Sequence, residues 1–308
     1  MARGKRRHAS RLRRAVDAIF GLLAVGILRA VRLVSPETAS NVAGACMRVI
    51  GPWLPEHRIG RDQLAAAFPE KSKTEIETIL RGVWDNLGRA GAEFAHIDHL
   101  WDYDVSRRRK GRILDSDEDE RIALRLRDDG KPALIFAAHL ANWELAAVGA
   151  HSYGVDSTVL YRAPNVPAIA DAIIAMRAGC MGTLLPTSMD APFKLAEALQ
   201  RGSHVAMLVD QYYVRGVPVT FFGRPTRANP LIARLARQID CPIHGIRMVR
   251  FPGNRFQLRL SEAIDAPRDA EGKIDVERTM QVITGMIESW IREYPEQWLW
   301  VHRRWRED

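Results

Sequence analysis

The stretch Pro132-Ala-Leu-Ile-Phe-Ala-Ala138, followed at once by His139-Leu-Ala-Asn-Trp-Glu144, decides how this chain is read. A short apolar run bounded by Pro reads as a buried strand. It places an imidazole at the strand end and a carboxylate five residues later. Inside one regular helix those two side chains would lie roughly 140° apart, on poorly matched faces. His139 is therefore expected to precede a helix that Asn142 caps, with Glu144 in its first turn, where the helix dipole favours an ionised carboxylate. A carboxylate there can hold one imidazole nitrogen while the other takes a proton from a hydroxyl. The pair reads equally well as a satisfied loop histidine beside a capping acid. No Ser or Cys adjoins it and no G-x-S-x-G elbow is present, which disfavours a covalent serine hydrolase.

Apolar runs at Ala133–Ala137, Thr158–Tyr161, His204–Val209, Pro242–Val249 and Arg255–Ile264 alternate with helical stretches near Leu145, Ala168, Ala191 and Pro230. This alternation predicts an α/β layered domain with a mostly parallel or mixed central sheet flanked by helices. Helical periodicity at Thr38–Ile50 and Thr74–Phe94 places a helical layer before the first strand, and Asp275–Glu293 reads as an amphipathic helix.

The chain has 308 residues, 47% of them hydrophobic, enough for a substantial core. Its net charge is +8, yet seven Lys/Arg residues and no acid lie within Met1–Arg14, so subtraction leaves +1 for the rest. One terminal basic cluster, without basic and aromatic residues interleaved over a folded surface, argues against nucleic acid as a partner. The apolar run Ala18–Leu28 is too short to cross a bilayer core of ~30 Å alone, and Ala15–Val34 includes Asp17, Arg29 and Arg32. No small-residue cleavage site follows. The expectation is a basic arm and membrane-anchor helix over 1–34, its basic end in the cytoplasm, and a catalytic domain over 35–308. Cys46, Cys180 and Cys241 have neither metal-ligand spacing nor a disulfide pattern, which fits a reducing compartment.

Three further segments carry chemistry. Arg162, in Tyr161-Arg-Ala-Pro-Asn165, follows the second strand on the sheet edge where ligands of open α/β sheets gather. Asp210-Gln211 ends the run Val205–Val209, and Arg224 and Arg227 precede a helix, placed to meet an anionic ligand. The pair Phe221-Phe222 suits either an acyl groove or ordinary core. The segment Pro295-Glu-Gln-Trp-Leu-Trp-Val-His-Arg-Arg-Trp305 has the composition of a membrane–water interface, or of a buried terminal helix.

Taken in order, HLANWE at 139–144, YRAPN at 161–165, Asp210-Gln211, the Phe221-Phe222-Gly223 segment and PEQWLWVHRRW at 295–305 resemble the lipid A biosynthesis late acyltransferases, a branch of the lysophospholipid acyltransferase group. The resemblance runs from the N-terminal region to the C-terminus. It implies His139 as general base and Glu144 as its orienting carboxylate, with Arg162, Asp210 and Gln211 in the substrate site. The family's usual Gly is missing from Ala228-Asn229-Pro230, so that loop departs from the pattern. What the resemblance implies is transfer of a fatty acyl chain from acyl carrier protein to a hydroxyl on a hydroxyacyl chain of a Kdo-bearing lipid A precursor. The place implied is the cytoplasmic face of the inner membrane, and neither a cofactor nor a metal is called for. A glycerophospholipid acyltransferase with the same dyad is the enzymatic rival, but no Phe-Pro-Glu-Gly-type segment is present. A membrane-bound interaction protein is the non-enzymatic one.

Overall fold

The computed structural model describes residues 21–103, 111–114, 116–163 and 167–306. Among them the strands are, in chain order, β1 (Ile113–Leu114), β2 (Leu134–Ala137), β3 (Ser157–Tyr161), β4 (Thr183–Pro186), β5 (His204–Leu208), β6 (Tyr212–Phe221), β7 (Arg224–Ala228), β8 (Ile243–Phe251) and β9 (Arg255–Leu260). Seven form one sheet in the order β1-β9-β8-β2-β5-β3-β4. Its pairings are parallel except β8 with β9. The α/β sheet expected from the alternating pattern is the one observed.

Strand β2 sits in the middle, and its alternation splits the core in two. Leu134 and Phe136 join one apolar cluster, together with Ile232 and Ala233 of the Leu231–Ile239 helix and Met280 and Ile283 of the Val276–Glu293 helix. Ile135 joins the other, with Leu145 and Val148 of the Glu144–Ser152 helix. The chain leaving β2 therefore crosses one face of the sheet, while the chain leaving its neighbour β5 reaches the opposite face. Divergence of two adjacent connections opens a crevice at the strands' carboxyl ends, where ligands of such sheets bind.

Between β5 and the Leu231–Ile239 helix, β6 and β7 form a separate antiparallel hairpin. Its turn is Phe222-Gly223, both at positive φ (51° and 69°), as a two-residue hairpin turn requires. The Phe pair is core: Phe221 and Phe222 are buried against Trp298, Trp300 and Trp305. The aromatic C-terminal segment is likewise interior, since Trp298 and Trp300 are buried. Neither alternative for this segment describes it, because it forms a short 3-10 turn (Pro295–Gln297) followed by irregular chain.

A helical layer precedes the sheet, as expected: Pro36–Ile50 and Lys73–Phe94, with Pro55–Ala67 between them. Ser72 and Glu75 form a capping box, and Ile76, Leu80, Val83 and Trp84 bury one stripe of the Lys73–Phe94 helix. Helical backbone also runs through residues 21–31. Among the described residues no helix is long and apolar enough to cross a membrane, so the anchor drawn from 1–34 has no spanning helix to support it. Its basic cluster, Met1–Arg14, lies outside the described residues. Arg32 ties this region to the body of the protein, donating to the Ala95 carbonyl (2.8 Å) and pairing with Asp98 (2.8 Å).

Layer and sheet are locked together by a buried ion pair. Glu93, on the Lys73–Phe94 helix, accepts from both terminal guanidinium nitrogens of Arg250 on β8 (2.5 and 2.9 Å), from Ser40 Oγ (2.7 Å) and from Asn142 Nδ2 (2.9 Å). Burial pushes the Glu93 pKa up, but Arg250 and the two polar donors outweigh it, and the net shift is downward. A depressed folded-state pKa means that this contribution is present above the unfolded carboxylate's range and fades as pH falls through the folded value. Arg250→Met leaves Glu93 buried without its counter-charge. The variant is expected to lose about 3–5 kcal/mol of stability, measured as a lower urea midpoint at neutral pH, with the gap to wild type narrowing in acid.

Candidate active site

The sheet register builds the site. Ala137 of β2 pairs with Leu208 of β5, so two residues further on His139 and Asp210 come level at the strands' carboxyl ends. His139 Nδ1 lies 2.8 Å from Asp210 Oδ1, and the backbone N–H of His139 donates to Oδ2 (2.9 Å). Trp298 Nε1 donates to the same Oδ2 (2.7 Å). An ionised carboxylate only accepts, so Nδ1 carries the hydrogen and Nε2 keeps its lone pair. The Asp210 side chain is 1% exposed and that of His139 15%.

Both groups titrate away from their ordinary values. Burial pulls the His139 pKa down, but the charge and hydrogen bond of Asp210, assisted by the charge of Glu144, overcome it and raise it. Burial pushes Asp210 up, yet the attraction of His139 and the three N–H donors hold it well below the usual carboxylate range.

The structure corrects the geometry expected around Glu144. The carboxylate at hydrogen-bond distance from the imidazole is Asp210, and Glu144 instead forms a two-point ion pair with Arg177 (3.0 and 2.5 Å). The loop turns sharply at Ala141, whose φ is 49°, and Glu144 opens the next helix facing Arg177. Arg177 in turn lies 5.4 Å from the ring centres of both Phe94 and Tyr161. Asn142 does not cap the helix: Trp143 holds the N-cap position without a side-chain bond, and Asn142 is buried against Glu93.

The imidazole borders a cavity of about 810 Å³. Ile135, Ala146, Val159, Met181, Ala206 and Ile246 give it apolar walls, while Glu144, Arg162, Arg177 and Gln211 supply polar groups. Of the residues singled out in the sequence, His139, Glu144, Arg162 and Gln211 line this one cavity, and Asp210 stands behind the imidazole. Arg162 is exposed at the end of β3 and makes no ion pair among the described residues. Arg224 is not part of the lining; it begins β7, its guanidinium 5.4 Å from the Trp305 ring centre. Asn229, in the loop lacking the usual Gly, does line the cavity, and its Oδ1 caps the Leu231 amide (3.1 Å). Ser157 also touches the cavity but pairs with His204, six residues before Asp210, so it lies at the strands' other end, roughly 20 Å along the sheet.

Sequence reasoning did not find Trp298, Gln297, Asn86 and Arg177. Two of these, with Leu299, clamp the histidine loop: Gln297 O accepts from the Ala141 amide (2.9 Å), Leu299 N donates to His139 O (3.2 Å), and Asn86 Nδ2 donates to Ala141 O (3.3 Å) and Gln297 O (3.2 Å). The only sequence signal for the clamp was the aromatic 295–305 segment itself, the last piece of the ordered set. The family model for bacterial lipid A biosynthesis acyltransferases matches residues 5–307.

The chain belongs to that family. No individual curated protein matches it. Membership makes this an acyltransferase of lipid A synthesis, and its buried charged pair can now be ranked by substitution. Asp210→Asn removes the main force raising the His139 pKa and disturbs its tautomer. Turnover is expected to fall by ~10²–10⁴-fold, and the acid limb of kcat/KM should move to lower pH. Glu144→Gln should move that limb in the same direction by less. Trp298→Phe deletes one of three donors to Asp210, and kcat should fall roughly 10- to 100-fold with KM little changed. Steady-state kinetics across pH on the three purified variants check the ranking.

Proposed function

We propose that this acyltransferase moves a fatty acyl chain from acyl carrier protein to a hydroxyl on a hydroxyacyl chain of a Kdo-bearing lipid A precursor, working at the cytoplasmic face of the inner membrane. The observation that carries the reading is an imidazole with a free Nε2, backed by a buried carboxylate, at the edge of an apolar cavity large enough for an acyl chain. In the proposed step His139 Nε2 takes the proton of the acceptor hydroxyl as its oxygen attacks the thioester carbonyl. The new C–O bond forms, the C–S bond breaks as the tetrahedral intermediate collapses, and the imidazolium returns the proton to the departing thiolate. Asp210, rather than Glu144, is assigned the orienting role. Glu144 and Arg177 then act as a fixed charge pair beside the reacting atoms, and Arg162 and Gln211 are assigned to substrate. Among the described residues His139 is hydrogen-bonded through its ring to Asp210 and to no Ser, Thr or Cys, which supports direct attack over an acyl-enzyme.

The test is mass spectrometry of Kdo-bearing lipid A precursor after incubation with full-length enzyme and acyl carrier protein thioesters of several chain lengths. Parallel arms offer acyl-coenzyme A and a lysophospholipid acceptor. One added acyl ester on the lipid A precursor is the expected product; transfer only to the lysophospholipid would overturn the acceptor assignment. His139→Ala should lower the rate by ~10²–10⁴-fold. Because the His139 pKa is raised, kcat/KM for wild type should climb with pH through a value above that of an ordinary histidine.

A further inference from the structure

Nine of the fifteen large hydrophobic side chains that the described residues leave exposed fall between Leu22 and Trp53. They form stripes. On the Pro36–Ile50 helix, Val42, Cys46, Val49 and Ile50 are exposed at spacings of four, seven and eight, one helical face, and Trp53 continues the series with 85% of its surface exposed. The opposite face is the one that packs: Ser40 and Gly44 are buried, and a Cβ on Gly44 would collide with Asp85 and Arg89. Upstream, Leu23 and Ile27 are exposed one turn apart on the helical backbone of residues 21–31, with Arg29 exposed beyond them.

Charge distinguishes this stripe from a bare apolar patch. Arg48, Val49, Pro52, Trp53 and Arg81 border one open cleft. Arg48 shares the single carboxylate of Asp85 with Arg89 (2.5 and 2.6 Å), and Arg81 has no ion-pair partner among the described residues. One carboxylate among three guanidinium groups leaves the cleft cationic. Exposed aliphatics, a Trp and uncompensated Arg in one place match the acyl boundary, interface and phosphate layer of an anionic bilayer.

We infer that the Val42–Trp53 stripe is a membrane-docking surface that seats the enzyme in the headgroup layer of an anionic bilayer, lying in its plane. This goes beyond the acyl-transfer reading and rests on it only in that a lipid acceptor resides in that layer. The absence, among the described residues, of a helix able to cross a membrane is consistent with such a monotopic seat.

Cys46 sits on the stripe and supplies the probe. Full-length protein in a Cys180→Ser background, labelled at Cys46 with an environment-sensitive fluorophore, is mixed with vesicles of phosphatidylcholine alone or with phosphatidylglycerol added. A blue shift with the phosphatidylglycerol vesicles, quenched by shallow nitroxide lipids, is expected. Val49→Ser/Trp53→Ser should weaken partitioning by about tenfold or more, and Arg81→Glu should weaken it on the anionic vesicles only. Both variants should keep wild-type turnover on detergent-dispersed substrate. Emission unchanged by vesicles, or equal partitioning of the double variant and wild type, overturns the inference. So does concentration-dependent self-association that shields the label without lipid, which would assign the stripe to a second copy. Vesicle docking without acyl transfer by wild type would support this surface while refuting the proposed activity.

Discussion

A carboxylate taken out of water has to find other partners for its charge, and Asp210 finds three N–H groups from two distant parts of the chain. Two come from His139 and one from Trp298. The arrangement is reciprocal, because the same bonds that keep Asp210 ionised fix the imidazole's tautomer and aim its free nitrogen. The surrounding framework serves this one contact. Parallel β2 and β5 bring the two residues level, the split of their connections opens the crevice in front of them, and the 295–299 segment closes over the loop from behind.

The cavity's electrostatics follow a similar logic. Its walls are apolar, so a lone charge at its edge would be costly, yet Glu144 and Arg177 stand there together. Paired, they satisfy one another, and the Phe94 and Tyr161 rings lie within cation–π distance of the Arg177 guanidinium. Glu144 still acts on His139 through space, by charge alone.

Much of the fold was legible because it depends on local periodicity. The buried runs around Leu134, Val159 and Val205 announced parallel strands, and the stripe Ile76-Leu80-Val83-Trp84 announced a helix. The short edge strands β1 and β4 and the Pro55–Ala67 helix carried no comparable pattern. The site was legible in its members and not in its wiring. His139 and Glu144 are neighbours in sequence, which suggested a bond, whereas the bond is made by Asp210, 71 residues away. Only the sheet register decides that, and register is not written in any single strand. Trp298 stood between two readings, interfacial or buried, for a related reason: three Trp near Arg residues have the composition of a lipid interface, and nothing local tells a buried indole from an exposed one. The surface that does present an exposed Trp, at Trp53, lay in a segment whose composition drew no notice.

The clamp on the histidine loop joins Asn86, Ala141, Asp210 and Gln297–Leu299, segments drawn from nearly the whole described chain. Contacts of such separation are the slowest to form, because loop-closure entropy has to be met before any of them is rewarded. The order of folding thus separates two capacities of the molecule. Most of the cavity wall comes from the continuous stretch between Ile135 and Tyr213, whereas the imidazole acquires its tautomer and aim only when the distant clamp docks. The shape of the cavity and the aim of its imidazole thus depend on contacts of very different separation along the chain.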